Sequence, residues 1–346
     1  MQKGLPYLWT NLSKMKRTYH LCWSGGEEVM FRTREDYIHG IICLCIACHD
    51  TDTQLMAYCF MSNHVHLCVR SSRIKAFKKA FRYSYTRYFN AKYRRHGSLG
   101  ENKFFIMEIQ GLMHLLTAIA YILRNPVHHG ICCTPFEYEY SSVSAAFSKE
   151  LGHLVWSSDT ENKIPFYQIP SHHKIPSYVK VSTSGMILPM SIVDVSDIEH
   201  QFSTARTYLY FMNRLSGEEW QKEQDKDNNG VEPIGIEDIE RGIKGIAIRQ
   251  LLANENGKNR SKIMTDIQLC ELIDNTLEKH YNGNSIYTIP DDIAAKLSSW
   301  LKSEFHIPNE QIARCMGGTK CSFTTTTTTT DTTTATQGIP FKNLRH

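Results

Sequence analysis

What most restricts the fold of this chain is an alternation. Between residues 18 and 124, runs with the two-residue period of strands trade places with runs of helical period. Thr18-Tyr-His-Leu-Cys-Trp23 reads as a strand. Thr33-Arg-Glu-Asp36 is a capping box, in which a hydroxyl and a carboxylate three residues apart satisfy each other's backbone amides. It opens a helix whose apolar stripe includes Ile38, Ile41, Ile42 and Cys45. Two strands are expected over 54–60 and 63–70, followed by a long basic helix. Residues 103–109 form a further strand candidate. Residues 112–124 form a helix that should stop near Asn125, because Pro126 disfavours helical geometry at the residue before it. Interleaving of this kind makes the first ~145 residues an α+β domain.

Beyond it the pattern weakens. Scattered Pro, Ser and His and the polar stretch 223–229 suggest connection and peripheral helix over 151–232, and helical periodicity returns from Ile236 to Met316. Within a mostly helical domain at 233–318, residues 290–301, a short turn and residues 309–317 are spaced like the first part of a helix-turn-helix module. Where the recognition helix should follow stand Thr324 to Thr330 and then Asp331-Thr-Thr-Thr-Ala-Thr. Such sequence has nothing to bury, so the tail 319–346 is expected to be disordered.

The apolar fraction is 41% and the charged fraction 21%, ordinary for a soluble protein. The eleven cysteines mostly sit among apolar residues, which suits reduced thiols. The opening Met1-Gln-Lys-Gly-Leu-Pro-Tyr has no long apolar run of the secretory kind. No stretch reaches the ~18 apolar residues of a membrane helix. A soluble, cytoplasmic protein away from membranes is expected. Cys45-Ile-Ala-Cys48-His49 matches a haem-attachment pattern, but it falls inside a core-facing helix and lacks the partner pair of a zinc site.

Net charge is only +4, yet its distribution is lopsided. From Arg70 to Arg95 there are ten Lys and Arg and no acid. The cationic face points to nucleic acid through Arg73, Lys75, Lys78, Lys79, Arg82, Arg87, Lys92, Arg94 and Arg95. Seven aromatics are interleaved with them and could stack on unpaired bases, although Phe77 and Phe81 suit a core stripe better.

Two short motifs carry chemistry. In Asn63-His64-Val65-His66-Leu67, strand alternation puts His64 and His66 on one face, side by side, as a pair of metal ligands. In Tyr121-Ile-Leu-Arg-Asn125-Pro126, a spacing of four puts Tyr121 and Asn125 on one helix face. The amide oxygen could complete a metal site, and the phenol could attack a phosphate polarised there. Tyrosine suits strand transfer because its phosphodiester conserves the bond energy for rejoining.

These blocks occur in order with Tyr19-His20, Phe31, Asp36-Tyr37, Ala57-Tyr58-x-x-Met61-Ser62, Tyr88-x-Asn90, His96-Gly-Ser-Leu99, Val127, Gly130 and Ser141-Ser142. Together, over residues 15–145, they resemble the REP-associated tyrosine transposases, relatives of the single-tyrosine transposases of small insertion sequences. The resemblance implies a ferredoxin-like HUH endonuclease domain over 1–150, an antiparallel sheet with helices on one face. It implies that His64, His66 and Asn125 bind a divalent metal, Mg²⁺ or Mn²⁺, and that Tyr121 is the catalytic nucleophile. The activity implied is metal-dependent cutting of single-stranded or hairpin DNA through a 5′-phosphotyrosine, in the service of transposition. The alternatives are a non-catalytic, domesticated or decayed DNA-binding protein and a rolling-circle type nickase. Monomer and homodimer are equally compatible with the sequence. Three departures stand out, His128-His129 where Arg-Ala is usual, Gly100 in place of an aromatic, and Tyr140 in place of Trp. All three are expected to lie clear of the chemistry.

Overall fold

In the computed structural model, which describes residues 15–26, 28–152, 175–182, 184–213 and 264–317, the alternation is realised strand for strand. β1 (Arg17–Ser24) is followed by α1 (Arg34–Asp50), β2 (Gln54–Phe60), β3 (His64–Ser71), α2 (Ile74–Tyr93), β4 (Phe105–Ile109) and α3 (Leu112–His128). The sheet order is β2-β3-β1-β4. Every neighbouring pair is antiparallel, with β1 running from Arg17 opposite Ser71 to Ser24 opposite His64. This order in a βαββαβ chain is the ferredoxin-like topology.

The pleat assigns the two faces. Leu21 and Trp23 stand opposite Leu67 and Val65, and Trp23 packs edge-on against Phe81 and Tyr85 of α2. That face carries α1 and α2. His20, Cys22, His64 and His66 point the other way, towards α3, because successive side chains alternate across a strand. The helix α2 is held by Phe77, Phe81, Tyr85, Phe89 and Tyr93, one every fourth residue and all buried. At about 1.5–3 kcal/mol for each such side chain, this stripe anchors the helix. Five of its seven aromatics therefore belong to the core rather than to bound bases. Tyr83 remains 62% exposed, and Tyr88 stacks on His39 at 3.6 Å. Close approach also explains Gly40 of α1, where a Cβ would meet the rings of Phe31 and Phe60 at 2.7 and 2.9 Å.

The expected end of α3 near Asn125 is corrected by the structure. The helix runs through Pro126 to His128. Pro126 forgoes the bond to Ile122 O and its ring crowds that carbonyl, but the helix continues and its end is closed by other bonds. Gly130 N–H donates to Val127 O at 3.0 Å and Ile131 N–H to Pro126 O at 2.8 Å, with Gly130 at φ 67°. This is a Schellman closure, which requires the left-handed conformation that glycine adopts freely.

Two further helices, α4 (Val195–Phe202) and α5 (Ala205–Asn213), lie in the region expected to be connection and peripheral helix. Ile198, Phe202, Tyr208, Phe211 and Met212 join the same core as the sheet, and the Tyr208 hydroxyl donates to Val143 O at 2.8 Å. They continue the packing of the sheet domain beyond residue 150. The polar stretch 223–229 lies outside the described residues.

Three helices, α6 (Asp266–His280), α7 (Asp291–Phe305) and α8 (Asn309–Cys315), build a second core around Leu269, Ile273, Leu297, Leu301 and Ile312. A capping box between Thr265 and Gln268 opens α6. Their docking is polar as well as apolar. Asp266 accepts from Ser62 Oγ at 2.6 Å and from Arg314 at 2.6 and 2.8 Å. The buried Arg32 donates to Asp274 at 2.7 Å and to the Cys315 carbonyl. Val29, from the loop after β1, completes the second core. α7 and α8 follow one another across a short turn, and Ile312 and Arg314 of α8 are both buried in this docking. The threonine tail and residues 233–263 lie outside the described residues. All ten described cysteines are free thiols. No helix among the described residues is long and apolar enough to cross a membrane.

Candidate active site

Antiparallel pairing and one helix bring the four chemistry-bearing side chains to one place. His64 and His66, two apart on β3, lie with ring centroids 5.0 Å apart and nearly perpendicular. Across from them, α3 presents Tyr121 and Asn125 one turn apart. The Asn125 Oδ1 is 3.0 Å from His64 Nε2, and the Tyr121 ring lies 5.4 Å from that of His66. All four are closed off from solvent, with Tyr121 1% exposed and His66 fully buried.

His128 and His129 do not lie clear of this cluster, contrary to expectation. Because α3 continues through Pro126, they fall seven residues after Tyr121 and four after Asn125, on the same face. His128 packs on the Tyr121 ring at 5.6 Å with an interplanar angle of 28°, and His129 stands 5.4 Å from His64. The other two departures are structural. A Cβ at Gly100 would meet Ser24 O at 2.6 Å, so this backbone has no room for an aromatic. Tyr140 stacks on Tyr37 at 3.9 Å. A further member of the site, His20 on β1, bonds through Nε2 to His66 Nδ1 at 3.0 Å. Its place beside Tyr19 in the motif was the only sequence signal.

The environment keeps these imidazoles neutral, as metal binding requires. Burial pushes His20 down to about 3. Burial, aided by His129 and opposed by the Asn125 bond, takes His64 to about 3. His66 is held well below its ordinary value by burial and then by the surrounding His64, His20, His129 and His128.

The donor set fits a divalent cation. The His66 Nε2 is buried without a hydrogen-bond partner. The His64 Nδ1 lies 2.8 Å from Asn63 Oδ1, while its Nε2 faces the Asn125 oxygen. A neutral imidazole has one N–H, so it cannot donate to both oxygens. With the proton on Nδ1, the lone pairs of His64 Nε2 and Asn125 Oδ1 converge, an arrangement that a cation relieves. Among the described residues no three His, Cys, Asp or Glu side chains are grouped to hold a metal. The set is therefore two imidazoles and an amide, to which substrate and water oxygens would be added. The amide oxygen suits Mg²⁺ or Mn²⁺, while the two imidazoles tilt the set towards transition metals.

The cationic residues divide into two groups. Lys75, Lys78, Lys79, Arg82 and Arg87 line a groove of about 810 Å³ together with Tyr83, Lys103 and Phe104. No acid lines it. The Lys78 ammonium is pulled down by partial burial and then by its neighbours Lys75 and Arg82, which marks uncompensated positive charge. Lys92 instead pairs with Asp36 at 2.8 Å and Glu35 at 2.9 Å, and Arg95 with Glu28 at 3.0 Å. The run 70–95 contains no acid, but tertiary structure supplies these three from elsewhere. Arg73 and Arg94 stand exposed at the two ends of α2. The groove lies on the α2 side of the sheet, opposite Tyr121. Consecutive residues at the edge connect the two sides, because Phe104 stacks on Trp23 and Phe105 meets His20 at 5.9 Å.

Residues 13–125 match the family described as "Transposase IS200 like". Over that stretch the chain is similar to the IS200-like transposases. Among solved structures, the chain is similar to a REP-associated tyrosine transposase bound to a REP hairpin, at 16% identity and a TM-score of 0.30, covering 51% of this chain and 100% of that one. It is also similar to a candidate transposase from Deinococcus radiodurans R1, at 19% identity and a TM-score of 0.26, covering 33% and 91%. No curated protein matches the sequence significantly.

Proposed function

We propose that this protein is an IS200-like transposase, a metal-dependent endonuclease that cuts single-stranded or hairpin DNA with Tyr121 as nucleophile. The observation that carries the reading is the meeting of Tyr121 and Asn125, one turn apart on α3, with His66 and His64, two apart on β3. A divalent ion held by His64, His66 and Asn125 would supply Lewis-acid polarisation of the scissile phosphate. Tyr121 Oη then forms a bond to phosphorus as the bond to the 3′ oxygen breaks, and the phenol gives up its proton. The products are a 5′-phosphotyrosine and a free 3′-OH, which can reverse the step on another DNA end. Tyr121 is 1% exposed with His128 packed on its ring, so a phosphate reaches its hydroxyl only once that cover moves.

The groove of Lys75, Lys78, Lys79, Arg82 and Arg87 suits the flanking DNA backbone, with exposed Tyr83 as a stacking platform. A strand leaving it past the start of β4 arrives on the His20 side. Changing Lys75, Lys78 and Lys79 together to Ala should weaken binding to every DNA sequence. It should also flatten the slope of log affinity against log salt by up to ~0.7 per lost single-strand phosphate contact. An unchanged slope in a salt titration would remove these lysines from the DNA path.

The deciding experiment is a nicking assay on hairpin oligonucleotides with and without Mg²⁺ or Mn²⁺. Cleavage should require the metal and vanish in the variant carrying His64→Ala and His66→Ala, whose calorimetric Mn²⁺ affinity should fall while its circular dichroism is retained. Unchanged metal affinity would make the pair structural. DNA binding without metal-dependent cleavage in the unaltered chain would favour a non-catalytic DNA-binding protein.

A further inference from the structure

His20 lies on β1, fully buried, diagonal to His66 across the β1–β3 pairing. Its Nε2 is 3.0 Å from His66 Nδ1, with ring centroids 5.2 Å apart and planes 16° from parallel. Two imidazoles joined tip to tip through facing nitrogens have this geometry, so a near-coplanar hydrogen bond joins them rather than a face-to-face stack. The outer nitrogens, His20 Nδ1 and His66 Nε2, are both buried and have no hydrogen-bond partner.

Two neutral rings carry two protons among four nitrogens, and one proton must lie in the shared bond. If His66 Nδ1–H donates to His20 Nε2, then His66 Nε2 is a lone pair and His20 carries its proton on Nδ1. If His20 Nε2–H donates to His66 Nδ1, then His66 Nε2 bears a hydrogen and cannot ligate. A free neutral histidine prefers its proton on Nε2, so without a partner His66 would favour the form that cannot bind metal. His64 has the corresponding support from Asn63 Oδ1 at 2.8 Å. Outer partners of this kind fix the ring orientation and tautomer of ligating histidines.

We infer that His20 is a positioning residue that accepts a hydrogen bond from His66 Nδ1–H and so holds His66 Nε2 as the lone pair available to a metal ion. The inference rests on the proposed ligand role of His66, but its first readout needs no metal. In metal-free protein labelled with ¹⁵N at histidine, the His66 signals should show a protonated Nδ1 and an unprotonated Nε2. In His20→Leu the Nε2–H form should become dominant. Mn²⁺ affinity by calorimetry should fall by ~10–100-fold, the usual effect of losing an outer partner. His20→Gln, whose side-chain oxygen can reach the place of Nε2, should restore both the tautomer and most of the affinity.

A protonated His66 Nε2 in the unaltered metal-free protein would overturn the inference, whatever the Leu variant does or fails to fold into. So would equal losses in Leu and Gln variants of matched thermal stability, which would make His20 a packing residue only. If the unaltered protein bound no Mn²⁺ while His66 kept its Nδ1–H form, the ligand reading would fail and the tautomer assignment would stand.

Discussion

Tyr121→Phe should abolish the covalent protein–DNA adduct on denaturing gels while leaving DNA affinity within about twofold. The substitution keeps the ring, and with it the contacts to His66 at 5.4 Å, His20 at 6.3 Å and His128 at 5.6 Å. Only the hydroxyl is lost. Deleting a nucleophile removes the covalent path outright, and single deletions of this kind cost on the order of 10⁶-fold in rate. The groove on the other side of the sheet is untouched, so binding separates from chemistry. An adduct formed by the Phe variant would refute the assignment. The substitute nucleophile would then be sought at Tyr83, because Tyr85 is buried beneath α2 and Tyr88 is stacked on His39.

Asp266→Ala should destabilise the protein by about 3–5 kcal/mol in chemical denaturation, the range for removing one partner of a buried ion pair. Asp266 and Arg314 are both buried and lie 2.6 Å apart. The same carboxylate accepts from Ser62 and Gln311, so its removal orphans a guanidinium and a hydroxyl, while the Gln311 amide keeps its bond to Met264 O. Burial by itself would raise the Asp266 carboxyl. Arg314, with the bonds from Arg314, Ser62 and Gln311, outweighs that and leaves it below its ordinary value of 3.8. A folded value below the unfolded one gives stability that is present above about pH 4 and lost as pH falls through the folded value. Because Ser62 precedes Asn63 and His64, Mn²⁺ affinity should weaken as well. Pairing Asp266→Leu with Arg314→Met should recover much of the loss, since the cost lies in the unpaired charge. A loss below 1 kcal/mol in the single variant would mean that the C-terminal helices are held by apolar contacts alone.

The parts of this protein that a reader of its sequence can derive are those set by backbone period. A two-residue repeat puts His64 and His66 on one face whatever the strand pairs with. A spacing of four does the same for Tyr121 and Asn125, and the stripe from Phe77 to Tyr93 announces the buried side of α2. Partners supplied from distant positions obey no such period. No local rule brings Glu28, Glu35 and Asp36 to Arg95 and Lys92, and their arrival takes two cations out of an apparently unbalanced run. Packing against β3 and a closing Gly130 let α3 pass Pro126, which carries His128 and His129 into the site. Only the pairing of β1 with β3 sets His20 tip to tip with His66, and only the docking of α6 and α8 ties Asp266 to the turn before His64. Local geometry groups the candidate site residues in pairs, and tertiary structure decides which other side chains surround them.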